Sequence, residues 1–136
     1  MIGHLLLGSV VIAVTVFVQA ELFSLFSGPL ETLVLLARRF LRRFANTGVM
    51  IVAVFFVLLV QTINVWIWAL VFLMVGAFRE LEPALYFTLI SYTTVGFGDI
   101  TLGTDWRLMS GLTAASGFLN FGWSTAYLVD LVRKTA

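Results

Sequence analysis

The sequence predicts an all-α membrane protein, and three observations carry that prediction. Of 136 residues, 61% are apolar and only 11% are charged, whereas soluble domains carry about 25% charged residues. A 15.1 kDa globule has too much surface to hide that much hydrocarbon behind 8 basic and 7 acidic side chains. The charges that do occur cluster at the ends of long uncharged stretches, as they do where helices enter and leave a bilayer.

The same composition excludes other classes. There is no cysteine and one histidine, His4, so thiol chemistry, a multi-histidine metal site and a Ser-His-Asp triad lack their parts, which argues against an enzyme. A net charge of +1 leaves no basic face for nucleic acid.

Residues 1–27 are expected to form a first transmembrane helix. Val18-Gln19-Ala20 loosely resembles a signal-peptidase site. The start of the chain lacks the positive charge that precedes a signal peptide's apolar stretch, so a retained helix is the better reading. Residues 28–48 form a basic amphipathic segment, set off by Gly28-Pro29 and Asn46-Thr47-Gly48. At 100° per residue Glu31, Arg38, Arg39, Arg42 and Arg43 share one side, while Leu33, Val34, Leu36, Ala37, Phe40, Leu41 and Phe44 fall mostly on the other. The pattern predicts a helix lying on the inner leaflet, its arginines on anionic lipid. A voltage sensor is the alternative, but sensors place arginine within a spanning segment and this stretch is short and highly charged.

Residues 49–77 contain no charge and would form a helix about 43 Å long, more than the roughly 30 Å hydrocarbon core. Residues 106–132 are the third expected span. Arginines 38–43 and Arg133-Lys134 place both of their segments in the cytoplasm. The N-terminus is then outside, the C-terminus inside, and residues 78–105 face outward, in a multi-pass protein of the cell membrane. Mid-span, Gln61, Thr62 and Asn64 should hydrogen-bond other helices, with Asn120 or the first helix as partners. His4 reads as an interfacial residue, and Trp66, Trp68, Trp106 and Trp123 as interface anchors or packing residues.

Between the last two spans, Pro83 suits the first turn of a helix over 83–93, with Glu80 and Glu82 at its positive end. That helix would be about 16 Å long, and the extended residues 94–98 would climb back about 15–17 Å. The segment therefore dips halfway into the bilayer and returns, which irregular backbone can do only when it is buried in protein or lines a water-filled path. One subunit cannot surround such a path. Gly96 and Gly98 permit the backbone angles that aim consecutive carbonyls into a pore. The carbonyls of Thr94, Val95, Gly96 and Phe97, with the Thr94 hydroxyl, could then stack as oxygen rings that replace a cation's hydration shell.

Thr93-Thr94-Val95-Gly96-Phe97-Gly98-Asp99 resembles the potassium-channel selectivity-filter signature TTVG(Y/F)GD, a well-known solution to ion selectivity. The resemblance covers roughly residues 49–134. It implies the potassium-channel pore fold over 49–136: outer helix 49–77, pore helix 83–93, filter 94–98 and inner helix 106–132, with one additional N-terminal helix, in a homotetramer passing K+. It places K+ at Thr94, Val95, Gly96 and Phe97. Thr93 and Asp99 flank the filter, and Tyr86 and Phe87 match two aromatic positions of the pore helix. Ile90 stands where some bacterial members carry a buried Glu that bonds the outer Asp. Tyr86 is available to take that role. Gly117 falls near the family's inner-helix hinge, with close helix packing as the competing explanation. Phe118, Gly122, Thr125 and Val129 are candidates for the inner pore. A non-selective cation channel and a non-conducting modulatory subunit are the alternative functions.

Overall fold

A computed structural model describes residues 1–40 and 44–135 of the chain. The described residues form four helices: α1 Ile2–Phe40, α2 Ala45–Met74, α3 Leu81–Tyr92 and α4 Arg107–Thr135. By length and composition, Ile2–Ala37 and Ala45–Met74 are apolar enough to cross a membrane, with mean hydropathies of 2.1 and 2.4.

Of the three expected spans, the last does not reach the same apolar level. The physical reason lies in its inward face, where Thr113, Ser116, Asn120 and Ser124 are all buried against other helices. These side chains lower the helix's mean hydropathy without meeting lipid. The helix still lies alongside α1 over most of its length. Gly8 meets Leu112 near one end, Thr15 meets Ser116 further along, and Leu30 packs with Leu131 near the other end. Helices α1 and α4 thus run parallel. Helix α2 runs antiparallel to both, since Gln19 meets Gln61 and Leu30 meets Val49 and Ala53.

The expected break at Gly28-Pro29 does not occur, because α1 continues through Pro29 to Phe40. A proline removes one backbone hydrogen bond from a helix, and packing against neighbouring helices makes that tolerable. Here Phe26 and Leu30 seat the two sides of the proline against Val49, Ala53 and Leu131. The segment expected to lie on a leaflet is therefore, as far as Phe40, a continuation of α1 against α2 and α4, with Val34 and Ala37 in the same cluster. Leu33 and Leu36, placed on its apolar side, are exposed. Of the expected lipid-facing arginines, Arg38 and Arg39 belong to α1, and Arg42, Arg43 and the neighbouring Leu41 lie outside the described residues.

Helix α2 starts at Ala45 rather than at 49, so Asn46-Thr47-Gly48 is helical, and it ends at Met74 rather than at 77. The stop is set by Gly76, whose φ of 76° is left-handed. The Ala77 N–H bonds the Phe72 carbonyl at 2.9 Å and the Gly76 N–H bonds that of Leu73 at 3.1 Å, the paired closure that a glycine allows at a helix C-terminus. Helix α3 starts at Leu81, with Pro83 still in the first turn, where its missing N–H removes no helical bond.

The four helices meet at a buried ring of hydrogen bonds to which each contributes one side chain. Gln61 Nε2 donates to Gln19 Oε1 at 3.3 Å, and the Tyr92 hydroxyl donates to Gln61 Oε1 at 3.0 Å. Asn120 Nδ2 donates to the Tyr92 hydroxyl at 2.8 Å, and Gln19 Nε2 closes the ring on the main-chain carbonyl of Asn120 at 3.0 Å. Gln19, Gln61 and Asn120 each lie close to the middle of their helix, so Tyr92, the last residue of α3, sits at mid-bundle. Asn64 adds a bond to Gln19 at 3.3 Å. Thr62 does not join; it is exposed and back-bonds to the Leu58 carbonyl of its own helix at 2.8 Å. One residue past Gln61 is a 100° turn away from the interface.

Trp68 is fully buried and donates to Ser116 Oγ at 3.3 Å, so it is a packing residue. His4 packs on Trp106 in a tilted contact with ring centroids 4.6 Å apart, tying the start of α1 to the chain just before α4.

At Gly117 the backbone of α4 lies against the end of α3. A Cβ built there would collide with the Tyr92 carbonyl oxygen and carbon, its separation from the latter being 2.6 Å. Gly111, on the same helix, has open space around it. Gly117→Ala should therefore destabilise the fold by about 1–3 kcal/mol, as overpacking does, while Gly111→Ala should be neutral or slightly stabilising. Thermal unfolding of the two variants in one detergent checks this: equal midpoints would mean that the helices do not meet at Gly117.

Candidate ion-conduction site

The stretch following α3 is set by where α3 ends. Its last turn closes with Thr93 N–H on the Leu89 carbonyl and Thr94 N–H on that of Ser91, both at 3.0 Å. The chain then reverses, and Gly96 N–H reaches back to the Ile90 carbonyl at 3.0 Å. The Gly96 amide proton is thereby directed towards the end of α3.

From there every second residue has a left-handed backbone: Thr94 at φ 62°, Gly96 at 54° and Gly98 at 78°. Glycine adopts such angles freely. The conformation expected at the two glycines is shared by Thr94. For a β-branched residue it is strained, at a cost of order 1–3 kcal/mol, and strain of this kind concentrates at functional sites. The face is open in the single chain, with Val95 54% and Phe97 71% exposed.

Tyr86 and Asp99 are brought together, as the sequence suggested they could be: the hydroxyl donates to Asp99 Oδ2 at 2.7 Å. The bond joins α3 to the residue after 94–98, a non-helical, strand-like stretch with no β-pairing among the described residues. It holds the Asp99 carboxyl below its ordinary range, the Tyr86 hydroxyl being the largest cause. Ile90 and Phe87 are both buried, at 6% and 4% exposure. Ile90 lines a cavity of about 520 Å³ together with Phe87, Thr94, Gly96, Gly98 and the start of α4.

Below the strand, Thr93 and Thr94 share a second cavity, of about 470 Å³, with Phe118, Gly122 and Thr125 of α4. Three of the inner-pore candidates thus meet the foot of the strand. Val129 lies further along α4 and is exposed. Gly117 faces the Tyr92 carbonyl instead, which supplies a packing reason for a glycine there. Trp123, read as an anchor or packing residue, also lines this second cavity and makes an edge contact with Phe23 at 5.9 Å.

Tyr92 is a further residue of the site, one that no motif in the sequence marks. It is fully buried and directly precedes Thr93 and Thr94. A tyrosine ending an apolar helix at mid-bundle needs a partner for its hydroxyl, and Gln61 and Asn120 were visible as candidates.

The profile of a family described as ion channel matches residues 58–134, more than half of the chain, and the chain belongs to that family. The matched stretch takes in the second half of α2, all of α3, the strand and nearly all of α4, and leaves α1 outside. No curated protein and no solved structure matches the chain significantly.

The hydrogen bond from Tyr86 favours the carboxylate of Asp99, so its contribution to stability is complete above the ordinary aspartate pKa of about 3.9 and is lost as pH falls through the lower folded-state value. In Tyr86→Phe the Asp99 pKa should rise back towards 3.9. Titration of the Asp99 side-chain carbon by NMR reads this directly; an unchanged midpoint in the variant would show that the two groups are not bonded in solution.

Proposed function

We propose that the chain is a potassium-channel subunit, four copies of which set residues 94–98 around a common axis as a selectivity filter. The observation that carries this reading is the alternation of left-handed φ at Thr94, Gly96 and Gly98. In a uniform extended strand successive carbonyls point to opposite sides. Reversing the sign of φ at every second residue turns alternate peptide planes over, so that successive carbonyls can share a side. Four such strands offer stacked rings of oxygen, matched to a cation that sheds its water. The Thr94 hydroxyl adds a ring at the inner end. Thr93, Phe87 and the Tyr86–Asp99 bond brace the strand, and α3 aims the negative end of its dipole at the axis. Phe118, Gly122, Thr125 and Val129 line the inner pore, with α4 as the inner helix. The family membership supports ion conduction, and the TTVGFGD sequence supports K+ as the cargo.

The same arrangement argues for the homotetramer. Strand 94–98 is exposed in one chain and cannot face lipid with its backbone unpaired. Native mass measurement of the detergent-solubilised protein should show four subunits; a monomer as the sole species would remove the pore.

Reconstituted in liposomes, the protein should pass K+ in strong preference to Na+. Gly96→Ala tests the carbonyl rings. A Cβ at a left-handed residue costs roughly 1–2 kcal/mol, repeated in each subunit, so the K+/Na+ permeability ratio should drop by about tenfold or more. Thr94→Ala should keep the fold and weaken K+ occupancy and conductance. Parent-level selectivity in Gly96→Ala would refute the mechanism.

A further inference from the structure

Helix α1 lies outside the stretch that matches the ion-channel family, yet it supplies one corner of the hydrogen-bonded ring at mid-bundle. We propose that Gln19 of α1 is a positioning residue for the filter, acting on it through Gln61 and Tyr92. The proposal deepens the channel reading above and rests on it.

The chain of contacts is short. Gln19 is fully buried. Its Oε1 accepts from Gln61 Nε2 and from Asn64 Nδ2, each at 3.3 Å, and its Nε2 donates to the Asn120 carbonyl at 3.0 Å. With Gln61 Nε2 directed at Ser124 Oγ at 2.6 Å, and at Gln19 Oε1 and the Asn120 main-chain carbonyl at 3.3 Å each, the Gln61 amide presents Oε1 to the Tyr92 hydroxyl at 3.0 Å. Tyr92 is covalently one residue from Thr93 and two from Thr94, and its carbonyl lies against Gly117. The backbone bonds of Thr93, Thr94 and Gly96 tie the foot of the strand to the end of α3, and the ring fixes that end through Tyr92.

The ring is directional. Each member donates to the next, and reversing one amide would set two acceptors or two donors face to face. Satisfied buried networks of this kind specify one arrangement more than they add stability. In a membrane a single such bond contributes modestly, because the alternatives also find partners. Removing Gln19 leaves the buried Asn64, whose Oδ1 already lacks a partner, without the acceptor for its Nδ2. The Gln61 amide that faces Tyr92 is then held from α4 alone, by Ser124 Oγ at 2.6 Å and the Asn120 main-chain carbonyl at 3.3 Å, and the Tyr92 hydroxyl is fixed less tightly. A helix outside the pore thereby sets the register of the residues that select ions.

The test is a double-mutant cycle on the conducting protein. Gln19→Met keeps the chain length and removes the amide, and Tyr92→Phe removes only the hydroxyl. Each should lower the K+/Na+ permeability ratio by about three- to tenfold, with the double variant no more than about twofold below the worse single one. A packing role alone would lower thermal stability and leave the ratio unmoved. Hydrogen exchange of the 93–98 amides gives an independent reading and should quicken in Gln19→Met as it does in Tyr92→Phe. Should Gln19→Met not assemble, Gln19→Asn, whose amide falls one carbon short, carries the same expectation. A ratio within twofold of wild type for the Gln19 variant, or effects that multiply in the double variant, overturns the proposal. A wild-type protein that passes no K+ overturns the channel reading itself, and the inference with it; selective wild-type conduction with an unmoved Gln19 variant overturns only the inference.

Discussion

The Tyr92 hydroxyl is held between Gln61 and Asn120, and that grip fixes the end of α3 from which the next residues depart. Tyr92 ends α3 at mid-bundle. Because the helix stops there, its C-terminal carbonyls are available to the chain that turns back, and the Gly96 N–H takes one of them from Ile90. A hydroxyl left unpaired at that depth would cost several kcal/mol. Paired, it contributes about 1 kcal/mol or less. The asymmetry means that the ring decides where α3 ends far more than it decides how stable the bundle is.

Glycine does two unlike jobs in this architecture. At Gly117 it removes a side chain so that the Tyr92 carbonyl can lie against α4. At Gly96 and Gly98 nothing crowds the position, and what matters is the left-handed backbone. Thr94 adopts the same backbone despite its Cβ. The strain is confined to one residue between a hydrogen-bonded helix end and two glycines, which is the setting in which such a conformation persists.

Helix α1 is bound into the bundle by polar and apolar contacts together. Thr15 and Gln19 reach Ser116, Asn120 and Ser124 of α4, and Phe23 stacks on Tyr127 with centroids 4.6 Å apart. Further along, Leu30 joins Val49, Ala53 and Leu131. These contacts explain why Pro29 does not end the helix, a result that a local reading of Gly28-Pro29 could not reach. They also divide the apolar residues of this stretch into an inward and an exposed set. Leu30, Val34 and Ala37 turn inward, whereas Leu33 and Leu36 do not, because α2 and α4 leave room for a narrow stripe.

Much of this protein was legible in its sequence, because apolar runs and special backbone residues act locally. The uncharged stretch 49–77 announced α2, and Pro83 and Glu82 announced the start of α3. Gly96 and Gly98 announced a backbone that other residues avoid, and Gln61 and Asn64 announced contacts between helices. Which partners they met was decided only by the tertiary structure, since a buried amide's bonds depend on the register of three neighbouring helices. That register brought Gln19 to Gln61, selected Tyr92 over Thr62 as a network member, and pressed Gly117 against a carbonyl. It also buried the polar face of α4, whose composition alone hides how well it is packed. Local chemistry set where the chain is helical and where it is not; the meeting of four helices at mid-bundle set where the strand after Tyr92 stands.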